Sequence, residues 1–147
     1  MKSNKLKEKA RRDFSTIARW IKPRSRVLDL GCGDGGLLRY LKVEKQVSGY
    51  GIEIDDNKVI QSVDRGINVI QGDLETRSSI FNDESFDYVI LSLTLQAVIH
   101  AEKVVLEMLR IGGECIVTFP NFGYWGHRLQ VLNGIMPVSK LLPYQWY

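Results

Sequence analysis

The apolar run 27-VLDL-30 ends at three glycines, Gly31, Gly33 and Gly36, in G-x-G-x-x-G spacing. At a strand-to-helix junction this spacing marks a dinucleotide-binding loop. The glycines permit a tight turn and close backbone approach, and the free N–H groups of the next helix face a pyrophosphate. Two carboxylates argue against that chemistry. Asp29 lies two residues before Gly31, and Asp34 lies inside the loop. Both repel a phosphate, whereas a ligand with an ammonium group is drawn to the same place. S-adenosylmethionine carries an ammonium group and a positive sulfonium and no phosphate, so D-x-G-C-G-x-G suits it better than NAD.

Two more acids stand where further strands are expected to end. Glu53 closes VSGYGIEI, about 20 residues past the loop glycines, where a carboxylate can accept both hydroxyls of a ribose. That role also occurs in NAD enzymes, so Glu53 alone does not discriminate. Asp73, in 71-QGDL-74, can accept an adenine amino group, with the backbone N–H of Leu74 beside it. Any one of these acids is equally well a solvated loop carboxylate or a helix cap. Acids at the ends of three consecutive strands make that reading a poor account of the set.

No catalytic motif accompanies them. The segment after the expected fourth strand reads Ser92-Leu93-Thr94, not the Asn/Asp-Pro-Pro-aromatic loop used on planar amino nitrogens. The pair 120-PN-121 follows the fifth strand instead. Cys32 and Cys115 stand outside any Pro-Cys loop. His100 and His127 are the only imidazoles; His100 is expected near a helix start, and His127 in a tail helix. Gln96, Tyr124 and His127 are substrate-side candidates by position. Methyl transfer to a good nucleophile needs mainly in-line positioning, so the catalytic residues stay unassigned.

The elements that would hold these residues alternate. Phe14, Ile17, Ala18 and Ile21, with Leu6 and Ala10 before them, give helical spacing for an amphipathic helix over 1–22 that Pro23 stops. Strands are expected at Arg26–Leu30, Val47–Ile54, Ile67–Gln71, Phe86–Leu93 and Glu114–Phe119, the last after a Gly112-Gly113 turn. Helices are expected at Gly36–Lys42, at Asp56–Arg65 with Asp55 or Asp56 as N-cap, and over most of Thr94–Arg110. Apolar strands separated by amphipathic helices imply a doubly wound, Rossmann-like parallel sheet covered on both faces. Residues 122–147 differ: they are rich in aromatic rings, with a helix expected at Gly123–Leu132 and no clear period at the end.

Bulk composition narrows the partners. A chain of 147 residues favours one domain over 1–147 and buries enough surface to need no disulfide or metal staple. The net charge of +3 is too small to argue for nucleic acid. The excess is local, in MKSNKLKEKARRD, which is either a solvated helix face or a polyanion-binding arm. The two cysteines lack C-x-x-C spacing, so no metal or redox site is expected, and they fit reduced thiols in the cytoplasm. No apolar run reaches about 18 residues, so no membrane span is expected.

Asp29, Gly31, Gly33, Gly35, Glu53 and Asp73 occupy positions that resemble the signature of the class I methyltransferase superfamily. The segments 86-FDYVILSLTLQAV-98 and 107-EMLRIGGECIV-117 are similar to its fourth strand and to its following helix and fifth strand. VLDLGCGDG, GYGIEID, NVIQGDL, FPNFG with Trp125 nearby, and MPV…LPYQWY resemble, more closely, the methionine biosynthesis protein MetW family. The resemblance implies cofactor contacts at Asp29, Gly31, Cys32, Gly33 and Gly35. It also implies contacts at Glu53, Ile54, Asp73, Leu74 and Ser92, with S-adenosylmethionine or S-adenosylhomocysteine as ligand.

The resemblance further implies homoserine O-acyltransferase as a partner and a role in methionine biosynthesis. A small-molecule methyltransferase is the alternative, and a NAD-binding oxidoreductase a remote one. The superfamily's sheet has seven strands and five are expected here. The last two are therefore expected to lie outside this chain, with 122–147 a truncated segment and the fifth strand an open apolar edge.

Overall fold

The computed structural model describes residues 12–119, 123 and 125–134. Five parallel strands form one sheet in the order β3-β2-β1-β4-β5: β1 Arg26–Leu30, β2 Ser48–Glu53, β3 Asn68–Gln71, β4 Phe86–Ser92 and β5 Gly112–Thr118. The chain winds outward from β1 to β3, then crosses back to place β4 on the other side of β1. The doubly wound expectation therefore holds, with the switch point between β1 and β4.

Helices α1 (Arg12–Trp20), α2 (Gly36–Lys45), α3 (Asp56–Asp64), the single turn α4 (Leu74–Arg77), α5 (Ala101–Ile111) and α6 (Trp125–Leu132) connect or flank the strands. Short 3-10 turns lie at Ser78–Ile80 and Leu95–Ala97.

The central strands are buried on both faces, as their unbroken apolar runs require. On one face Val27, Tyr88 and Ile90 pack with Phe14 and Ile17 of α1, Ile21 just after it, and Leu37, Leu38 and Leu41 of α2. On the other, Leu28, Leu30, Val89 and Leu91 pack with Val104, Met108 and Ile111 of α5. Alternate residues of β1 and β4 thus divide between two cores. At the N-terminal ends of these strands Asp87 accepts from the Arg26 backbone N–H at 2.7 Å and from its guanidinium at 2.9 Å. These bonds hold the Asp87 carboxyl below its usual range.

Several boundaries differ from the sequence expectation. Strand β5 begins at Gly112, so Gly112-Gly113 is strand and not a turn. A methyl group on Gly112 would lie 2.4 Å from Val89 Cγ2, and the glycine lets the two strands close up. Strand β4 stops at Ser92 because Leu93 adopts φ 57°. The expected helix over Thr94–Arg110 is split into the 3-10 turn and α5, with His100 at the N-cap. Helix α2 runs to Lys45, and Asp55 rather than Asp56 caps α3. The turns at 74–80 had no periodic signal. Residues 1–11 and 135–147, where the basic segment and most of the aromatic tail fall, lie outside the described residues. Among the described residues β5 pairs on one side, with β4, and the sheet has five strands.

Gly49 lies opposite Val27 in the β1–β2 register, and a methyl group there would sit 1.7 Å from the Val27 carbonyl oxygen. Backbone cannot yield as a side chain can. Gly49→Ala is therefore expected to lower unfolding free energy by about 3 kcal/mol or more, read as a lower urea midpoint at unchanged slope.

Candidate functional site

Because all five strands are parallel, the loops after β1, β2, β3 and β4 meet at one end of the sheet. The β1 loop is built on left-handed backbone, with Gly31 at φ 72°, Gly33 at 58° and Gly35 at 72°, conformations that side chains with a Cβ resist. The N–H groups of Gly31 and Cys32 both donate to the Ile52 carbonyl at 2.9 Å. The Gly33 carbonyl accepts from the Ser62 hydroxyl at 2.9 Å. Nothing lies within 4 Å of the space a side chain on Gly33 would fill, so backbone is open there.

Two acids border this loop with little exposure, Asp29 at 2% and Glu53 at 7%. Glu53 ties the end of β2 to the loop. Its Oε2 accepts the Gly33 N–H at 2.8 Å, and its Oε1 accepts those of Ile54 and Asp55 at 2.9 and 3.0 Å. Three N–H donors satisfy a carboxylate that the fold nearly closes off from water. A carboxylate offers about four acceptor positions, and these donors take three.

The two loop acids have different work. Asp34 Oδ1 accepts the Gly36 N–H at 3.1 Å, and the carboxylate pairs with Arg65, whose guanidinium also donates to the Asp34 carbonyl at 2.8 Å. Its charge is thus compensated by Arg65. The N–H at the start of α2 that a pyrophosphate would use is occupied by the protein's own carboxylate.

Cys32 is packed between strand and loop, 6% exposed, and a methyl group on Gly51 would lie 2.3 Å from its sulfur. Burial first, then the charges of Asp29 and Glu53, push its thiol from the ordinary 9.0 up to about 12. Burial also raises Cys115. Neither is a ready nucleophile.

The remaining sequence candidates are placed as follows. Ile54, next to Glu53, is 66% exposed. Asp73 is exposed and N-caps α4, accepting the Glu75 N–H at 2.9 Å. Leu74 packs against the α5-side core. Ser92 ends β4, where its hydroxyl meets that of Thr118 at 3.1 Å. Gln96 lies in the 3-10 turn after β4, and His127 lies in α6; their side chains are outside the described residues, as is all of Tyr124. Among the described residues no group of three or more His, Cys, Asp or Glu side chains could hold a metal ion.

Sequence reading missed Ser62, Arg65, Thr94 and Glu75. Thr94 covers the loop: a methyl group on Gly31 would lie 2.6 Å from its Cγ2. Glu75 Oε1 accepts the backbone N–H groups of Ile99 at 2.8 Å and His100 at 3.3 Å. These contacts join residues far apart in the chain and leave no local pattern.

The Cys32 thiol has a consequence for pH. Between the ordinary 9.0 and about 12, the folded chain keeps a proton that the unfolded chain has released. Stability is fully present below that window and falls as pH rises through it. Urea unfolding at pH 7 and pH 10 checks this: Cys32→Ala is expected to lose less stability between the two than the parent chain.

Comparisons with known proteins bear on the fold and the family. A S-adenosylmethionine-dependent methyltransferase from Thermotoga maritima superposes with a TM-score of 0.66 at 23% identity, over 82% of this chain and 56% of that one. The [4+2]-cyclase SpnF superposes at 0.62 with 21% identity, over 68% of this chain and 40% of that one. These likenesses show the fold, which is the Rossmann-like fold of class I methyltransferases. In sequence, the bifunctional methionine biosynthesis protein MetXA/MetW of Rhodopirellula baltica is 40% identical over 120 residues, covering 76% of this chain. Phosphoethanolamine N-methyltransferase 2 of Caenorhabditis elegans is 30% identical over 114 residues, covering 71%. The chain spans 19% and 26% of the length of these two relatives. The profile of the methionine biosynthesis protein MetW matches residues 11–147. The chain belongs to the MetW family.

Proposed function

We propose that the chain binds S-adenosylmethionine or S-adenosylhomocysteine at the β1 loop and works beside homoserine O-acyltransferase in methionine biosynthesis. The observation that carries the ligand is the charge layout of the loop: buried acids border open glycine backbone, and the Gly36 N–H is held by Asp34. Such a site favours an ammonium group and disfavours a pyrophosphate. In this reading Asp29 draws the amino-acid end and the open backbone at Gly33 gives it room, while Gly31 and Gly35 turn the loop. Glu53 accepts a ribose hydroxyl at its remaining acceptor position. Ile54, Asp73 and Leu74 border the adenine, while Cys32 and Ser92 shape the walls.

The partner reading is supported by the Rhodopirellula relative, whose name joins MetXA and MetW in one bifunctional chain. Two free thiols among the described residues suit a reducing interior such as the cytoplasm. No helix of the described residues is long and apolar enough to cross a membrane.

Methyl transfer to a small molecule is the second reading, favoured by the likeness to Phosphoethanolamine N-methyltransferase 2. The ligand, when bound, supplies an activated methyl group. What these residues contribute is orientation and exclusion of water. Gln96, Tyr124 and His127 are the substrate-side candidates on this reading. The likeness to a cyclase shows that such a fold need not carry one chemistry.

Calorimetry with S-adenosylmethionine and with NADH tests the ligand. Binding of the first and none of the second is expected; the reverse would overturn the assignment. Asp29→Asn and Glu53→Ala are each expected to weaken binding by about 1–3 kcal/mol, with the fold checked by circular dichroism. Co-purification with homoserine O-acyltransferase, with its activity assayed in the presence and absence of this chain, tests the partner. Absence of both a complex and a change in rate would remove it. Methyl release from labelled S-adenosylmethionine across a metabolite panel tests the second reading.

A further inference from the structure

The connection between β4 and α5, residues 93–100, runs along the C-terminal end of the sheet, and two of its contacts reach the loops after β1 and β3. Near its start Thr94 lies over Gly31, with its hydroxyl donating to the Ser92 carbonyl at 3.0 Å. At its end the N–H groups of Ile99 and His100 converge on one oxygen of Glu75. Glu75 belongs to the opposite side of the site. It follows Asp73 and Leu74 directly, and its own N–H is held by the Asp73 carboxylate. Asp73 carries α4 further, its carbonyl accepting the Arg77 N–H at 2.8 Å.

Nothing local demands this arrangement. The amides of Ile99 and His100, just ahead of α5, take their acceptor from a residue 24 and 25 positions earlier in the chain. Leu95 and Val98 pack against the α5-side core, whereas Ile99 is 72% exposed and gains no hold from burial of its own side chain. At Ile99 and His100 the Glu75 carboxylate is the fastening.

We propose that Glu75 is a positioning residue that couples the turn after β3 to the connection between β4 and α5, so that order in one is transmitted to the other. The ligand half of this inference rests on the S-adenosylmethionine reading, in which the Asp73–Leu74 turn borders the adenine. Binding at that turn then orders residues 93–100, the segment carrying Gln96 and lying over the glycine loop. What is transmitted is reach and hydrogen-bond acceptance, not charge. Glutamine at 75 can replace glutamate, and aspartate, one methylene shorter, cannot.

Amide exchange followed by NMR on the whole chain tests this in the parent and in Glu75→Ala, Glu75→Asp and Glu75→Gln, with and without S-adenosylhomocysteine. Without ligand, the alanine and aspartate variants are expected to exchange about tenfold or more faster at Ile99 and His100. The glutamine variant stays near the parent, and Val104 inside α5 is unchanged in all. With ligand, protection at Ile99 and His100 is expected to rise in the parent and in Glu75→Gln and to stay flat in the other two, which still bind.

Parent-like exchange in Glu75→Ala, or an even rise across α5 and the sheet, overturns the coupling. So does ligand binding to the parent that leaves both amides unchanged. If S-adenosylhomocysteine fails to bind the parent, the cofactor reading falls instead. The ligand-free comparison then decides the coupling by itself.

Discussion

The site end of the structure depends on one carboxylate. Glu53 lies at the end of β2 with 7% exposure and accepts three backbone N–H groups, one from the β1 loop and two from the start of its own. A buried charge without donors is costly, so the two loops must adopt whatever backbone supplies them. For the β1 loop that backbone is left-handed at Gly31, Gly33 and Gly35. The glycines let the loop take the backbone that satisfies this carboxylate. The same charge, together with Asp29 and burial, keeps the Cys32 thiol protonated.

Around that bond the rest is arranged in layers. Ser62 and Arg65, both from the α3 region, hold the loop from outside through the carbonyls of Gly33 and Asp34. The two acids of the loop are thereby separated in role. Asp34 is spent on the protein's own helix start and on Arg65, while Asp29 is held at the end of β1 where the sheet divides. A carboxylate in a glycine loop is therefore no single signal; its meaning depends on whether a cation of the chain already answers it.

The sheet topology determines what can be brought together, but not the chemistry. The order β3-β2-β1-β4-β5 places the loops of four strands at one rim, and proteins with this fold include methyltransferases and a cyclase. Specificity must come from the rim itself. There the connection after β4 is the least regular part, turned by the left-handed Leu93 and fastened by contacts from two other loops. Irregular backbone held by other loops is where residues that discriminate between substrates are generally found.

Much of this was legible in the sequence. Strand β1 was placed to the residue, because a buried parallel strand reads as an unbroken apolar run that stops at glycine. The alternation of such runs with amphipathic helices was enough for the doubly wound class, and Asp29, Glu53 and Asp73 could be put at strand ends before any coordinates. Local pattern failed where the reason was not local. Gly112-Gly113 reads as a turn, yet it is strand because Gly112 pairs with Phe86 of β4, where Val89 leaves no room for a side chain on Gly112. The helix expected after β4 is broken because Leu93 is bent and Glu75 accepts from the amides ahead of α5.

The sequence by itself determined which residue types stand at which strand ends, since period and glycine placement are properties of neighbours along the chain. Only the tertiary structure decided which of those acids were already answered by N–H groups and by Arg65. Those partners come from other loops, and folding alone brings them within hydrogen-bonding distance.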